Sequence, residues 1–324
     1  MSGALAGMWS EVTMKMSKSL LGWQLHMQAG NYSHVTIDGY LPAIKKVIAF
    51  LDDPDAADVT IWQLEAFLVH LRDTGVSEST RQYYWKVIKS YFSWASKRKG
   101  LGIERPDDDL EMPTVPEPDV QPYTEREIKL LLKACKETEE AETVNRDSYK
   151  AKRPTALRDQ CLILVLLDTG IRVSELCRIQ YKDINLNNQS IHIRAFETGK
   201  KSKDRIVYVG ANTMAVLWKM AAENDDPENY VFYSTAHIRN YPLNRNAVDH
   251  LLKRLGKKVG IQNCGAHRFR HTFAVQYLRN GGDIYTLKRL IGHSSLRMVQ
   301  RYLQLSEADA KRAHQKASPV DNWI

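Results

Sequence analysis

The 324-residue sequence has no run of about 18 apolar residues, the minimum for a helix that crosses a membrane. It also lacks the basic-then-apolar opening of a secretory signal. Its four cysteines show no Cys-x-x-Cys spacing, so we expect neither a metal site nor a disulfide framework. Cys161 and Cys177 lie within apolar runs, and reduced core thiols are typical of cytosolic proteins. These absences predict a cytoplasmic protein without a membrane segment or a cofactor.

Positive charge is in excess and is unevenly distributed. The net charge is +8 and the sequence pI is about 9.1. Residues 1–112 hold 12 Lys and Arg against 14 Asp and Glu, whereas the remaining residues hold 34 against 24. A polyanionic partner would fit this balance, and the C-terminal part should then dominate its attraction.

The first hundred residues predict a small helical domain. Residues 1–16 are rich in Gly, Ala, Met and Ser, and we expect them to be disordered, with no added domain before the first helix. Apolar residues then recur at helical spacing in four segments over residues 17–102. Ser33, Thr60 and Ser77 are suitable N-caps for the second, third and fourth helices. The fourth should run to about Lys99.

The fourth helix combines basic and aromatic residues, and two interpretations stay open. Its basic residues include Arg81, Lys86, Lys89 and Lys97. They could form the solvated face of an amphipathic helix whose aromatic face is buried. Alternatively, the basic face could lie along the phosphates of a nucleic acid.

A linker and a larger domain follow. Residues 103–122 are rich in proline and acids, a composition that excludes regular helix and favours a stiff connector. Beyond it, Thr124 and Glu127 have the spacing of a capping box, and residues 137–153 look like a polar surface insertion. Apolar residues predict a helix from about Thr155 to the break at Gly170. Further helices are predicted over residues 212–223, 244–259 and 283–291, with a short strand over 230–233.

Residues 184–209 change to the two-residue period of β-strands. Ile191, Ile193, Ile206 and Tyr208 alternate with polar residues. The lysine-rich segment between them has the pattern Gly-Lys-x-x-Lys-x-Arg over residues 199–205. Such a tip could simply protect an edge strand from aggregation by its charge.

Three short motifs carry the residues best suited to phosphate chemistry. They are Thr-Gly-Ile-Arg-Val-Ser-Glu-Leu at 169–176, Ala-His-Arg-Phe-Arg-His-Thr-Phe-Ala at 266–274, and Ile-Gly-His-Ser-Ser-Leu at 291–296. His267 and Arg270 share a helix face, and an arginine with histidines near a helix N-terminus suits an anion. Tyr302 follows His293 by nine residues and offers a hydroxyl nucleophile. Taken singly, a histidine and an arginine at this spacing more often lie on a solvated helix face, and a tyrosine such as Tyr302 more often belongs to a core.

The ordered set resembles the active-site signature of the phage-integrase-type tyrosine recombinases. The resemblance implies that Arg172 binds the scissile phosphate, with Glu175 supporting it. It implies catalytic roles for Lys200, His267, Arg270, His293 and Tyr302 as well. Lys200 would protonate the leaving 5′ oxygen, although Lys201 and Lys203 are close enough to leave that assignment open.

The resemblance also implies a fold and an activity. The fold would be mainly α with a small antiparallel β-sheet, arranged as a two-domain clamp. A helical core-binding domain (17–102) and linker (103–122) would precede an α+β catalytic domain (123–305). The protein would be a site-specific recombinase that cuts and rejoins double-stranded DNA through a 3′-phosphotyrosyl intermediate, without metal or ATP.

The resemblance also implies how the protein assembles, and two alternative functions stay open. The protein would act as a homo-tetramer on paired sites, and the need for accessory proteins is left open. Its polar tail (306–324), which holds a predicted helix over residues 306–317 that ends at Pro319, would dock on a neighbouring protomer. A type IB topoisomerase uses the same tyrosine chemistry without strand exchange. A non-catalytic DNA-binding or architectural protein on the same fold is the other alternative.

Overall fold

The computed structural model describes two compact units, which lie within residues 14–115 and 121–323. The described residues are 14–98, 103–115, 121–136, 141–143, 146–149, 153, 155–195, 204–235, 241–292, 295–296, 299, 302, 311, 314–315 and 318–323.

The described residues of the first unit form four helices, α1 (Met16–Ala29), α2 (His34–Phe50), α3 (Ile61–Asp73) and α4 (Glu78–Ala95). Side chains at the predicted caps set three of the starts. The Ser33 hydroxyl accepts the Thr36 N–H, the Ser77 hydroxyl accepts the Thr80 N–H, and Thr60 forms a capping box with Gln63. These contacts satisfy backbone donors that a helix leaves without partners in its first turn.

Aromatic side chains dominate the core of the first unit. Trp23 is fully buried and meets Tyr91 edge-on, with ring centroids 5.5 Å apart. The Tyr91 hydroxyl lies 2.6 Å from that of Ser19, so its polar end has a partner within the core. The aromatic face predicted for the fourth helix is therefore its buried face.

Part of the predicted linker packs on this unit. Leu110 is 4% exposed and belongs to the same apolar core. Its carbonyl accepts a hydrogen bond from the Trp85 indole at 2.8 Å, and Lys89 donates to the Asp107 carbonyl at 2.5 Å. Proline and acid content indicated a connector, but it carried no information about these contacts.

The second unit begins with α5 (Glu125–Lys136), which starts at the predicted capping box of Thr124 and Glu127. Its elements after α5 are β1 (Ala141–Thr143), β2 (Arg146–Tyr149), α6 (Ala156–Thr169), α7 (Val173–Leu176), a 3₁₀ turn (Tyr181–Asp183), β3 (Ile184–Asn185), β4 (Ser190–Ile193), β5 (Arg205–Tyr208), α8 (Ala211–Ala222), α9 (Arg245–Lys258), α10 (Ala266–Arg279), α11 (Ile284–Ile291) and α12 (Pro319–Trp323).

The sheet topology is antiparallel throughout the described strands. β1 pairs with β2, and β3, β4 and β5 form a second sheet in that order. In the second sheet Ile191 lies opposite Val207 and Ile193 opposite Arg205. Ile191, Ile193, Val207 and Val209 are buried, whereas Ile206 and Tyr208 are 55% and 62% exposed. The inward face of β5 is therefore the one that begins with Arg205.

Helix α6 lies at the centre of the second unit. Its apolar residues Leu162, Ile163, Val165 and Leu166 are fully buried, and the helix packs against α5, α8 and α10. A smaller apolar cluster forms between α10 and α11 and includes Tyr302. This packing fixes the end of α6, where the first of the three motifs begins.

Four details differ from the sequence-based expectations. Helix α4 ends at Ala95, not near Lys99, because Trp94 and Ala95 are the last residues it buries before the exposed Lys97 and Arg98. Part of the predicted polar insertion forms the β1–β2 hairpin. Residues 230–233 make isolated bridges to Gln180 and Pro242 but no strand. A short helix begins at Pro319, where the tail helix was expected to end.

The cysteines match their expected environment. All four are buried with free thiols. None of the helices in the described part of the chain combines the length and the apolarity that crossing a bilayer requires.

Gly170 joins α6 to the first motif, and its replacement tests this packing. Its φ of +60° is costly for other residues, and an added Cβ would lie 2.4 Å from Cδ1 of Phe273. We predict that Gly170→Ala lowers the free energy of unfolding by about 2 kcal/mol or more. The measurement is hydrogen exchange of the α6 and α10 amides.

Gly260→Ala is the matched control in the same unit. Its φ is +72° and no atom lies within 4 Å of the added Cβ, so only the backbone cost of about 1 kcal/mol applies. Equal losses in the two variants would contradict the role assigned to the Phe273 contact.

Candidate active site

Arg172 and Glu175 form a compact unit at the start of α7. After the left-handed turn at Gly170, the Arg172 backbone N–H donates to Glu175 Oε2 at 2.9 Å. Arg172 Nη1 donates to Glu175 Oε1 at 3.2 Å. The Arg172 side chain keeps 31% of its surface exposed, whereas that of Glu175 keeps 1%. The carboxylate therefore orients an arginine that still faces solvent.

A second arginine completes the surroundings of Glu175. Arg205, the first residue of β5, donates from Nη1 to Oε1 at 3.1 Å and from Nη2 to Oε2 at 2.7 Å. Burial alone would raise the pKa of Glu175, but the hydrogen bonds and charges of Arg205 and Arg172 together lower it. Glu175 is thus a buried carboxylate held in its ionised form.

Three consecutive carbonyl groups at the C-terminal end of α11 each accept from a different arginine. Arg205 Nε donates to Leu290 at 2.7 Å, Arg270 Nη2 to Ile291 at 2.7 Å, and Arg172 Nη2 to Gly292 at 3.1 Å. The last carbonyls of a helix have no partner within it and carry the negative end of its dipole. Three positively charged side chains therefore meet at this helix end, and those of Arg172 and Arg205 also bind Glu175.

Gly292 permits the close approach of the arginines. Its φ is +68°, and an added Cβ would lie 3.1 Å from Cζ of Arg205. Gly292, which follows α11 as its C-cap, is therefore constrained both by its backbone conformation and by the guanidinium beside it.

Arg270 is the most buried of these arginines, at 3% exposed. Its Nη1 donates to the Gly170 carbonyl at 2.7 Å, which connects α10 to the turn before Arg172. Burial and the charge of Arg172 lower the pKa of Arg270 to about 10, while Tyr302 and Glu175 act in the opposite direction. The guanidinium therefore remains a cation at neutral pH.

Tyr302 lies beside this cluster with its side chain largely covered. It is 8% exposed and packs with Ala274, Leu287, Ile291 and Val299. Its ring centroid is 5.3 Å from that of His271. His267, one turn from His271 on α10, is exposed. The structure thus brings Arg172, Glu175, Arg270 and Tyr302 together.

Two of the predicted catalytic residues, Lys200 and His293, lie outside the described residues, as do the alternatives Lys201 and Lys203.

Two residues that contact the site were not predicted. Arg205 completed the pattern that placed Lys200 but was given no role, and His271 was not distinguished within its motif. The alternation of β5 could have revealed Arg205, since it shares a face with the buried Val207 and Val209.

The four basic residues predicted to contact DNA lie on α4 or, for Lys97, just beyond its end, and they differ in their surroundings. Lys86 and Lys97 are exposed. Arg81 lies 3.7 Å from Glu78, and Lys89 forms an ion pair with the buried Asp107 at 3.5 Å. Lys86, Lys89 and Lys97 line a surface concavity together with Trp85, Trp94 and Arg98. Their contact with DNA stays a prediction.

Comparisons with known proteins agree with this architecture. Residues 123–309 match the phage integrase family, and residues 20–101 match its N-terminal SAM-like domain. Tyrosine recombinase XerA of Thermococcus kodakarensis is 29% identical over 258 residues, which are 80% of this chain and 82% of that protein.

Two solved structures share the fold at 18% sequence identity. The Tn1549 transposon integrase in complex with a circular intermediate DNA has a TM-score of 0.71 and covers 92% of this chain and 98% of its own. A lambda integrase tetramer bound to a Holliday junction has a TM-score of 0.68, with 90% and 78% covered.

The class of enzyme is therefore that of the site-specific tyrosine recombinases, and neither the topoisomerase nor the non-catalytic alternative is favoured. The match to the catalytic region extends over more than half of the sequence. The chain belongs to the phage integrase family.

The ionised state of Glu175 generates a prediction about pH. A carboxylate whose pKa is lowered on folding stabilises the protein above its unfolded pKa, about 4.3, and loses that contribution as the pH falls. We predict that Glu175→Gln costs about 1–3 kcal/mol at neutral pH and flattens the loss of stability in acid. Denaturant unfolding of both proteins from neutral pH into the acid range measures this effect. Parallel curves would contradict it.

Proposed function

We propose that the substrate is double-stranded DNA and that the arginine cluster binds the phosphate at which a strand is cut. The observation that carries the proposal is the convergence of Arg172, Arg205 and Arg270 on the end of α11, where Arg172 and Arg205 also bind Glu175. Three guanidinium groups and one carboxylate leave an excess of positive charge, and the Arg172 side chain keeps 31% of its surface exposed. A phosphodiester is an anion whose oxygens match such donors.

In the proposed reaction the Tyr302 oxygen attacks the phosphorus of the bound phosphodiester. The bond from phosphorus to the 5′ oxygen breaks, and a 3′-phosphotyrosyl ester forms. Negative charge on the non-bridging oxygens grows in the transition state, where fixed donors stabilise it most. Arg172 and Arg270 supply that charge stabilisation, so the step requires no metal ion. The ester retains the energy of the broken bond, and a 5′ hydroxyl can reverse the step without ATP.

Proton transfers belong to the remaining predicted residues. His267 would accept the proton that leaves Tyr302, and Lys200 would deliver one to the departing 5′ oxygen. His293 would add a hydrogen bond to the phosphate. These three assignments rest on the motifs, since the chain places each residue at the matching position.

Recombination between two duplexes further implies an assembly of protomers. We propose a tetramer on paired DNA sites, with the predicted tail (306–324) contacting a neighbouring protomer. Lambda integrase, which shares the fold, has been solved as a tetramer bound to a Holliday junction. Lys86 on α4 and Lys97 just beyond its end are exposed and would meet phosphates from the first unit. This division of roles follows the domain bounds predicted from the sequence.

Tyr302→Phe tests the nucleophile. Because only the hydroxyl is lost, we predict unchanged affinity for DNA and no covalent adduct on a nicked suicide substrate. Denaturing gels that resolve protein–DNA adducts provide the measurement. Tyr285→Phe is the matched control: this tyrosine is 69% exposed on α11 and should leave adduct formation at the wild-type level. An adduct in the Tyr302 variant would place the nucleophile elsewhere.

Arg172→Ala and Arg270→Ala test the phosphate site. Each should slow cleavage by about 10²–10³-fold through loss of transition-state stabilisation. Affinity should change much less because it draws on many phosphate contacts. Single-turnover adduct formation at saturating DNA measures the rates.

Arg268→Ala controls for loss of an arginine from α10. Arg268 pairs with Glu127 at 2.8 Å and lies over the Tyr123 ring, away from the cluster. Arg268→Ala should cleave DNA at close to the wild-type rate. If it cleaves as slowly as Arg270→Ala, the rate loss cannot be assigned to phosphate binding by Arg270.

A further inference from the structure

We propose that Arg205 is a positioning residue for strand cleavage, which holds Arg172 in its phosphate-binding orientation through the Glu175 carboxylate. The inference rests on the proposed function of the arginine cluster and adds to it a residue that need not touch DNA.

The hydrogen bonds of Glu175 define this role. Each carboxylate oxygen accepts two donors, one from Arg172 and one from Arg205. The Arg205 distances are 3.1 and 2.7 Å, so its planar fork fits both oxygens at once. Because the side chain of Glu175 is 1% exposed, protein donors rather than bulk water orient it in the folded protein. The direction of the carboxylate therefore depends on Arg205.

Burial separates the roles of the two arginines. The Arg205 side chain is 6% exposed, against 31% for Arg172. All three nitrogens of its guanidinium are engaged within the protein, since Nε donates to the Leu290 carbonyl at 2.7 Å. Gly292 lies against the same guanidinium. Arg205 thus contacts the groups that hold Arg172, whereas Arg172 keeps a surface for the phosphate.

Removal of Arg205 has a specific structural consequence. Glu175 would lose the two donors of Arg205 and keep those of Arg172, and the Leu290 carbonyl would lose the Arg205 donor. The carboxylate would then be free to turn toward Arg172 and draw its guanidinium away from the phosphate. A displacement of about 1 Å in a catalytic group can cost about 10²-fold in rate.

The experiment compares adduct formation by wild-type protein, Arg205→Ala, Arg172→Ala and the double variant. Single-turnover rates are measured at saturating suicide DNA, and affinities are measured in parallel. We expect Arg205→Ala to be slower by about 10–10²-fold with affinity within about threefold of wild type. The double variant should be no slower than Arg172→Ala, because one residue acts through the other.

A second substrate distinguishes the positioning of Arg172 from a general structural defect of the variant protein. A methylphosphonate at the scissile position lacks one charged oxygen, so it depends less on cationic stabilisation. The difference between wild type and Arg205→Ala should shrink on it, as should the difference for Arg172→Ala. A purely structural defect would slow both substrates equally and would overturn the proposal.

Two further variants complete the design. Arg158 contacts the buried Asp159 through Nε and Nη2 and donates from Nη1 to the Tyr233 carbonyl, which makes it a match for Arg205 away from the site. Arg158→Ala should reproduce any loss of stability but not the cleavage defect. Arg205→Lys keeps the positive charge but cannot donate to both Glu175 oxygens at once. It should recover only part of the cleavage rate, and it replaces Arg205→Ala in the experiment if that variant does not fold.

The outcomes distinguish this inference from the proposed function. Wild-type rates in both Arg205 variants, or rate losses that multiply with those of Arg172→Ala, would overturn the role of Arg205 alone. Absence of an adduct with wild-type protein on its own DNA site would overturn the proposed function and this inference with it.

Discussion

The Glu175 carboxylate is the group on which the geometry of the site depends. Buried carboxylates are costly unless several donors compensate the loss of water. Here the compensation comes from α7 and from β5, and the same two arginines continue to the end of α11. One buried charge therefore joins a helix start, a strand start and a helix end. Arg270, which links α10 to α6 and α11, completes the connection.

Local signals in the sequence predicted much of the fold. Ser33, Thr60 and Thr124 are caps in the structure because a cap needs only a side chain and its own next turn. The predicted end of α4 was wrong because local helix propensity does not indicate where the helix ceases to be buried. The packing of residues 103–110 was also missed, since the contacts of Leu110 and Asp107 join residues distant in the chain.

The site shows the same division between local and distant information. Arg172 and Glu175 are three residues apart, so their pairing could be predicted from spacing. The pairing of Glu175 with Arg205 spans 30 residues, and no local rule connects them. The alternation along β5 indicates that Arg205 shares the buried face with Val207. Ile206 and Tyr208 are exposed but apolar, so in sequence their face looks like the buried one. The row of carbonyl acceptors on α11 has no signature in residue types at all, because every residue has a carbonyl.

The arginines that meet at the end of α11 also differ in entropy from surface arginines. A free arginine side chain loses rotamer freedom worth about 2 kcal/mol when a ligand immobilises it. In this protein Arg172, Arg205 and Arg270 are already fixed by carbonyl and carboxylate acceptors. Most of that ordering cost is therefore met during folding, when the packing of α6, α10 and α11 is formed. If a phosphate binds there as proposed, little of this ordering cost remains, and the interaction energy is available to orient the phosphate and to raise the rate.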